Sequence, residues 1–283
     1  MIRYLIGDDQ TLRLEQFDVS PSVYLDHWAL RHISANENLR TRFTKSLLAC
    51  DGTLVLSWLN LLEFTKVTDR EQVELAEKLV EDILPNVFFM EINPFTVIDR
   101  EDKLIAGGEP IPPHADIGFL KAFSAFKSTN CNPFTARGMF VAPHESTLSG
   151  RFDSLADTII SRTEALRAEM DTDSDFRSLI RRLPSGQKLQ HGTRNVLREL
   201  ARTFLIDRGL RLSRNNAVDL LHSVVPVAYC DLVLLDKHWE EQVDRMRTRL
   251  TEANLNIPIA KIFSRKANGI NLFLEALEGR CEQ

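Results

Sequence analysis

The segment Asn215–Trp239, NNAVDLLHSVVPVAYCDLVLLDKHW, decides the fold class. An apolar stretch with helical spacing leads into the short apolar strand DLVLL, which ends just before Asp236. Asp219 and His222 lie inside the apolar helix, three residues apart, so they share one face of it. A carboxylate in apolar surroundings is costly unless another group neutralises it. The segment therefore predicts a strand of a parallel sheet with acids gathered near its carboxyl end.

The same alternation of strand and helix recurs toward both ends of the chain. Apolar strands are predicted at 22–26, 52–57, 87–92, 231–235 and 259–263. Helices are predicted at 27–50, 58–67, 70–84, 215–229, 238–252 and 269–279. Strands that alternate with helices indicate an α/β fold with a parallel sheet. Residues 2–19 alternate loosely around GDD, which predicts a short hairpin ahead of the sheet.

The middle of the chain follows a different pattern. From Asn93 to about Pro113 the periodicity fails, and GGEPIPPH has the composition of a loop. Further helices are predicted at 114–127, 146–183 and 190–207. We therefore predict one Rossmann-like parallel-sheet sandwich that is split by a helical insertion expected to shape substrate access or a partner interface. Its predicted parts are 1–92 with a hairpin at 1–20, the insertion 93–213, and 214–283.

The composition is that of an ordinary globular protein. Of 283 residues, 43% are hydrophobic and 27% charged, and no apolar run is long enough to cross a membrane. The start, MIRYLIGDDQ, lacks the pattern of a signal peptide. The cysteines are Cys50, Cys131, Cys230 and Cys281. Their wide separation gives no metal-ligand spacing and predicts no disulfide framework, so we expect a reduced, cytoplasmic protein without a membrane partner.

One segment carries most of the positive charge. Residues 177–214 hold ten Lys and Arg against only Glu199 and Asp207, a net charge of +8 in a chain whose total is −5. Five arginines are candidates for binding nucleic acid. They are Arg194, Arg198, Arg202, Arg211 and Arg214. The first three recur every fourth residue and so form one stripe on a helix, which could hold a nucleic-acid backbone; the alternative is a solvated helix face.

Four carboxylates are expected to meet at one edge of the sheet. Asp26 and Asp236 each follow an apolar strand, and the carboxyl ends of parallel strands share an edge. Glu63 lies in the helix that leaves the second strand, and Asp219 in the helix that enters the fourth. Closely packed carboxylates repel, and a divalent cation with oxygen ligands relieves the repulsion. Taken singly, each acid could be an N-cap or a surface residue, and Asp231 is expected at the opposite edge.

Several common catalytic and phosphate-binding motifs are absent from the sequence. It contains no GxGxxG, no GxxxxGK[ST], no HExxH and no GxSxG. Its seven histidines show no zinc-ligand spacing. These absences count against a glycine-rich phosphate-binding loop, a zinc protease and an α/β-hydrolase.

In the order of its acids, the chain resembles the PIN-domain family of metal-dependent nucleases, which includes the toxin ribonucleases of bacterial toxin–antitoxin pairs. The resembling motifs are VYLD with Asp26, LSWLNLLEF with Ser57 and Glu63, AVDLLH with Asp219 and His222, and CDLVLLDK with Asp236. They cover about 22–92 and 214–280. The order, the residue types and the positions relative to the strands carry the resemblance.

The resemblance implies a PIN-like fold and endonucleolytic cleavage of RNA with Mg²⁺ or Mn²⁺. The catalytic residues and metal ligands would be Asp26, Glu63, Asp219 and Asp236. A cation held there would activate a water molecule and neutralise the phosphate. Ser57 and His222 would support the ligands or contact phosphate, and Asn215 would face the same crevice.

Several functions stay open under this resemblance. The first is a metal-dependent endoribonuclease acting as a toxin or a phage-defence effector, with an antitoxin or another protein as its partner. The second is a catalytically silent PIN-like module that binds RNA or a protein, and the third is a structure-specific DNA nuclease. A homodimer also stays open.

Overall fold

A five-stranded parallel sheet forms the centre of the protein. The computed structural model describes residues 1–6, 12–108, 111–119, 136–137, 148–184, 192–210, 212–266 and 268–281. The strands are β1 Ile2–Ile6, β2 Leu12–Gln16, β3 Ser22–Leu25, β4 Thr53–Leu56, β5 Val87–Phe89, β6 Leu232–Leu234 and β7 Lys261–Phe263. β3 to β7 confirm the five predicted sheet strands. β1 and β2 confirm the antiparallel hairpin, whose residues 7–11 lie outside the described part.

The chain adds strands to the sheet first on one side of β3 and then on the other. The sheet order is β5-β4-β3-β6-β7, and every pair is parallel. The chain builds outward from β3 to β5 and then returns to add β6 and β7 on the other side. In such doubly wound sheets a crevice opens at the carboxyl ends where the connections diverge, and ligands bind there. The predicted α/β class with a Rossmann-like parallel sheet is confirmed, and Asp26 and Asp236 follow the two strands that flank this crevice.

Helices follow or connect the strands throughout the described residues. They are α1 His27–Ala35, α2 Glu37–Ala49, α3 Trp58–Thr65, α4 Arg70–Ile83, α5 Pro94–Ile105, α6 Leu148–Thr172, α7 Ser174–Arg181, α8 Gly192–Ile206, α9 Arg214–Tyr229, α10 Lys237–Glu252 and α11 Gly269–Glu278. The helix predicted at 114–127 is described only as far as residue 119, with 117–119 helical.

Local capping side chains divide two predicted helices and create one that was not predicted. The segment predicted as one helix at 27–50 breaks at Asn36, whose side chain accepts a hydrogen bond from the Leu39 amide (3.1 Å) and starts α2. Asp173 separates α6 from α7 in the same way. The segment after Asn93 was predicted to be irregular, and this is wrong for α5. Asn93 caps that helix, and Pro94 fits its first turn.

Helices cover both faces of the sheet and give the fold three layers. Along β3, Val23 and Leu25 face one layer and Tyr24 faces the other, as the alternation of a strand requires. Helices α1, α2, α4 and α11 pack on the first face, and α6, α8, α9 and α10 on the second. Because both faces are buried, the strand sequences are continuous apolar runs.

The helices of segment 93–213 belong to the second layer. Val196 and Leu200 of α8 share one apolar cluster with Val233 of β6. The buried carboxylate of Glu101 in α5 accepts hydrogen bonds from Thr193 Oγ1 (2.7 Å) in α8 and from Tyr229 Oη (2.7 Å) in α9. These helices therefore form part of the wall of the sandwich. The division of the chain at 92/93 and 213/214 stays a prediction.

Cys50 and Cys281 form a disulfide, with their Cα atoms 4.7 Å apart. The expectation of fully reduced cysteines is therefore wrong for this pair. The two residues are distant in sequence, but α2 and α11 lie side by side, and Arg42 donates to both oxygens of Glu278 at 2.7 and 2.8 Å. Cys230 is buried and unpaired, and position 131 lies outside the described residues. Within the described ranges no helix is long and apolar enough to cross a membrane, and the cytoplasmic location stays a prediction.

Candidate functional site

Asp26 begins α1 at the carboxyl end of β3. Its amide donates to the carbonyl of Leu234 (3.1 Å), which fixes it beside the end of β6. Its Oδ1 accepts hydrogen bonds from the amides of Trp28 (2.9 Å) and Ala29 (3.3 Å). Asp26 is therefore an N-cap, as one of the two sequence interpretations held. Among the described residues nothing donates to its Oδ2, so one oxygen is left for a ligand.

The position of Glu63 is set by the start of α3. At the carboxyl end of β4, Ser57 Oγ accepts from the Asn60 amide (3.3 Å) and Asn60 Oδ1 accepts from the Ser57 amide (3.0 Å). This reciprocal capping box fixes where the helix begins. Asn60 Nδ2 also donates to the carbonyl of Leu25 (3.1 Å), which ties α3 to β3. Ser57 therefore supports the site through the helix that carries the acid, as a predicted supporting residue would.

A buried hydrogen-bonded chain holds the carboxylate of Glu63. His222 Nε2 donates to Glu63 Oε2 (3.1 Å), and the hydroxyl of Tyr24 shares a hydrogen bond with His222 Nδ1. Burial lowers the pKa of His222, but the carboxylates of Glu63, Asp26 and Asp219 together outweigh burial and raise it above its usual value. Burial likewise raises the pKa of Glu63, and the nearby His222, His27 and Lys66 together outweigh that effect and lower it. His222 thus lies where the sequence predicted a supporting group, and Tyr24 was missed.

Asp219 and Asn215 lie on the same face of α9. The helix begins at Ser213, whose hydroxyl accepts from the Asn216 amide (3.2 Å) in a second capping box. Asn215 and Asp219 are one turn apart, and both line the same open pocket. A role of Asn215 in the site stays a prediction.

The negative charges of the predicted acids act on one another. Burial raises the pKa of Asp26 to about 7; His222 opposes this, and Asp236 and Glu63 add to it. Burial likewise raises the pKa of Asp219 to about 6, with the same three neighbours acting in the same directions. Asp236 occupies the N-cap position of α10 but makes no capping hydrogen bond with its side chain, and it is exposed. Its carboxylate is thus not used by its own helix.

The donor set suits a hard divalent cation, although the side chains do not form a closed cage. In the described part of the chain, no group of three or more His, Cys, Asp or Glu side chains is placed to hold a metal ion. Asp26 directs Oδ1 to helix amides, and Glu63 directs Oε2 to His222. All four candidate donors are carboxylates, which Mg²⁺ and Mn²⁺ prefer. The chemistry of the donors therefore fits these ions, and the carboxylates would have to draw closer to bind one.

An open pocket of ≈ 630 Å³ lies beside Glu63 and Asp219. His27, Arg31 and Lys66 line it, and sequence reasoning missed all three. His27 Nδ1 lies 3.9 Å from Glu63 Oε2. The available signal was spacing, because Arg31 lies one turn after His27 on α1 and Lys66 directly follows α3, three residues after Glu63. Cationic side chains and two of the predicted acids therefore line the same pocket.

The arginines predicted to bind nucleic acid are engaged with carboxylates where the structure describes them. The pairs are Arg194–Asp102 at 2.7 Å, Arg198–Glu199 at 3.7 Å, Arg202–Glu199 at 3.3 Å and Arg214–Asp157 at 2.8 Å. Glu199 is buried and also meets Arg249 at 2.8 Å. Arg211 lies outside the described residues. Part of the positive charge is thus offset within the fold, and a role of the stripe in nucleic-acid binding stays a prediction.

Asp231 lies at the opposite edge of the sheet, as predicted. Its Oδ2 accepts hydrogen bonds from the Ser22 amide (2.8 Å) and from Ser20 Oγ (2.8 Å), next to the start of β3. This acid therefore anchors the entry to β3 and β6 and does not belong to the candidate site.

Comparison with protein-family models, with curated proteins and with solved structures found no match to this chain. The resemblance to the PIN-domain family therefore stays a prediction that rests on the four motifs.

Proposed function

We propose that the protein is a metal-dependent endonuclease of PIN-like fold that cleaves RNA. One observation supports the proposal: near the switch point of the parallel sheet, Asp26 and Asp219 each feel the negative charge of two further acids from other elements. The four acids are Asp26, Glu63, Asp219 and Asp236. The pKa values of Asp26 and Asp219 are raised, first by burial and further by neighbouring acids. Such an arrangement costs stability and suits a site that takes up a cation.

The protein's own residues hold and orient the acids. Bound Mg²⁺ or Mn²⁺ would supply an activated water and neutralise charge on the scissile phosphate. Asp26, fixed by the amides of α1, and Asp236, unused by α10, would hold the cation from the strand ends. Glu63 and Asp219 would hold it from α3 and α9. His222 orients Glu63 through the bond from Nε2 and is itself held by a tyrosine hydroxyl of β3.

A catalytically silent PIN-like module that binds RNA or a protein is the second candidate. It is favoured by the observation that two of the acids already have partners within the fold: Asp26 caps α1, and Glu63 accepts from His222. In that case the acids serve stability, and neutralising them would change folding and leave no activity to lose. The toxin or phage-defence role, with an antitoxin as partner, belongs to the first candidate alone.

Incubation with total RNA and with single-stranded DNA, in Mn²⁺ or in EDTA, tests the proposal. We expect internal cuts in RNA with Mn²⁺ only, and their loss in Glu63→Gln, because that change removes an anionic ligand and the negative charge beside His222. The matched control is Glu252→Gln, which changes an exposed glutamate at the end of α10 and should cut as the wild type does.

Each contrary result points to a different function. Cuts in DNA alone would indicate a structure-specific DNA nuclease. RNA binding without cleavage would favour the silent module. If Glu63→Gln cuts RNA at the wild-type rate, the four-carboxylate site is not the site of reaction.

A further inference from the structure

We infer that the pocket lined by His27, Arg31 and Lys66 binds a phosphate of the nucleic-acid strand next to the one that is cut, with Arg31 and Lys66 as its ligands. The inference rests on the proposed function, because it takes the strand at the carboxylates to be the bound molecule. It goes further by assigning the strand a second contact point, on α1 and at the end of α3.

The position of the pocket suits a neighbouring nucleotide. Its volume of ≈ 630 Å³ lies within the range of about 300–1,000 Å³ that is usual for small-ligand sites. Glu63 and Asp219 belong to its lining, so it begins where the predicted metal site ends. A strand that presents one phosphate to these acids would place an adjoining nucleotide in the pocket. Thr68 and Asn215 add polar groups to the wall that such a nucleotide would meet.

Two cationic side chains of the pocket are available to a phosphate. Within the described residues, neither Arg31 nor Lys66 has a carboxylate at ion-pair distance. Two of the acids in the same lining are already engaged: Glu63 accepts from His222, and Asp69 caps α4 by accepting from the Glu71 amide at 3.1 Å. The guanidinium and ammonium groups therefore keep a charge available to an anion.

The arginines predicted to bind nucleic acid differ in this respect. Arg194 and Arg214 each lie within 2.8 Å of an aspartate oxygen, so a phosphate would have to compete with a partner already in place. Arg202 lies beside buried Glu199. Unlike those arginines, Arg31 and Lys66 have no carboxylate at ion-pair distance among the described residues, and their pocket also includes two of the candidate acids, so we assign the strand contact to the pocket.

The test measures binding without cleavage. A fluorescent single-stranded RNA is titrated with protein at several salt concentrations, in EDTA and in Ca²⁺. For Arg31→Gln combined with Lys66→Gln we expect affinity to fall about tenfold or more. The slope of log K against log salt should fall by about 0.7, because each neutralised phosphate of a single strand contributes about 0.7 and the pocket is assigned one phosphate. The control is Arg245→Gln, an exposed arginine of α10 that does not line the pocket, and it should keep the wild-type slope.

The outcomes separate this inference from the proposed nuclease. Suppose that the double variant has the Tm of wild type and the same slope of log K against log salt, and that wild type cuts RNA with Mn²⁺. The pocket assignment is then overturned, and the proposed nuclease stands. If the double variant loses affinity but wild type cuts nothing, the pocket stands as an RNA site and the nuclease fails. A slope reduced by Arg194→Gln instead assigns the strand to the stripe. Efficient competition by a free mononucleotide, or no binding of RNA in either buffer, also overturns the assignment.

Discussion

Neutralising Asp219 should raise the thermal stability of the metal-free protein. Burial raises the pKa of Asp219 from 3.8 to about 6; His222 opposes this, and Asp236 and Glu63 add to it. A carboxyl group whose pKa is higher in the folded than in the unfolded state favours folding at low pH, and that stabilisation is lost as the pH rises through the folded pKa. Above about pH 6, ionised Asp219 therefore weakens the fold, and Asp219→Asn removes the penalty.

The size of the effect follows from the shift. A change from 3.8 to about 6 corresponds to roughly 3 kcal/mol at neutral pH. Asp219 is only partly buried, so screening by solvent reduces this to roughly 1–2 kcal/mol. For 283 residues the entropy of unfolding is about 0.6 kcal/mol/K, which gives a rise in Tm of about 2–3 °C. Mn²⁺ at a hundredfold excess over Kd should stabilise wild type by about 2.7 kcal/mol, and the variant by less, because it lacks one ligand.

Thermal melts in EDTA and in Mn²⁺, at about pH 7.5 and about pH 4, measure both effects. In EDTA, the difference in Tm between wild type and Asp219→Asn should be smaller at the lower pH, because Asp219 of wild type is then protonated. The control is Asp82→Asn, an exposed aspartate of α4, which should move neither melt. The reasoning is refuted if the Tm of Asp219→Asn in EDTA at neutral pH is equal to or below that of wild type. It is also refuted if Mn²⁺ raises the Tm of the variant as much as that of wild type.

Two further predictions concern stability. Cys50→Ser should lower the free energy of unfolding by about 2–4 kcal/mol, because the disulfide closes a loop across 231 positions. Dithiothreitol should lower the Tm of wild type but not that of the variant. An equal drop in Tm in the variant would contradict this prediction. Arg249→Gln should cost about 3 kcal/mol because it leaves buried Glu199 less compensated, whereas Arg194→Gln, which breaks an exposed pair, should cost less than about 1 kcal/mol. Urea unfolding midpoints measure both variants, and equal costs would show that burial of the charge does not decide the loss.

The sheet could be predicted from sequence because its strands are buried on both faces and so appear as unbroken apolar runs. The placement of Asp26 and Asp236 at one edge follows from the strands alone, since both acids come directly after parallel strands. Asp219 and His222 could be placed on one face by helical spacing. In each case the decisive information is local, within a few residues of the strand or helix concerned.

What could not be predicted depends on which elements become neighbours. The hydrogen bond from His222 to Glu63 joins α9 to α3 across 159 positions, and no local sequence pattern predicts it. The disulfide and the pairing of Arg194 with its aspartate have the same origin in packing. Helix α5 is a different case, because its start signal, Asn93 followed by Pro94, is local, whereas the loop composition of GGEPIPPH directly after it indicates irregular structure.

The order of the strands has a consequence for synthesis on the ribosome. β3 takes β6 as a neighbour, and the hydrogen bond between Ser22 and Asp231 spans 209 positions. A nascent chain that stops before α9 carries Asp26 and Glu63 but neither of the other two acids, and one edge of β3 is still unpaired. The four carboxylates can first come together when residues up to Asp236 have emerged. If the protein cuts RNA as we propose, activity would thus begin only after Asp236 has left the ribosome.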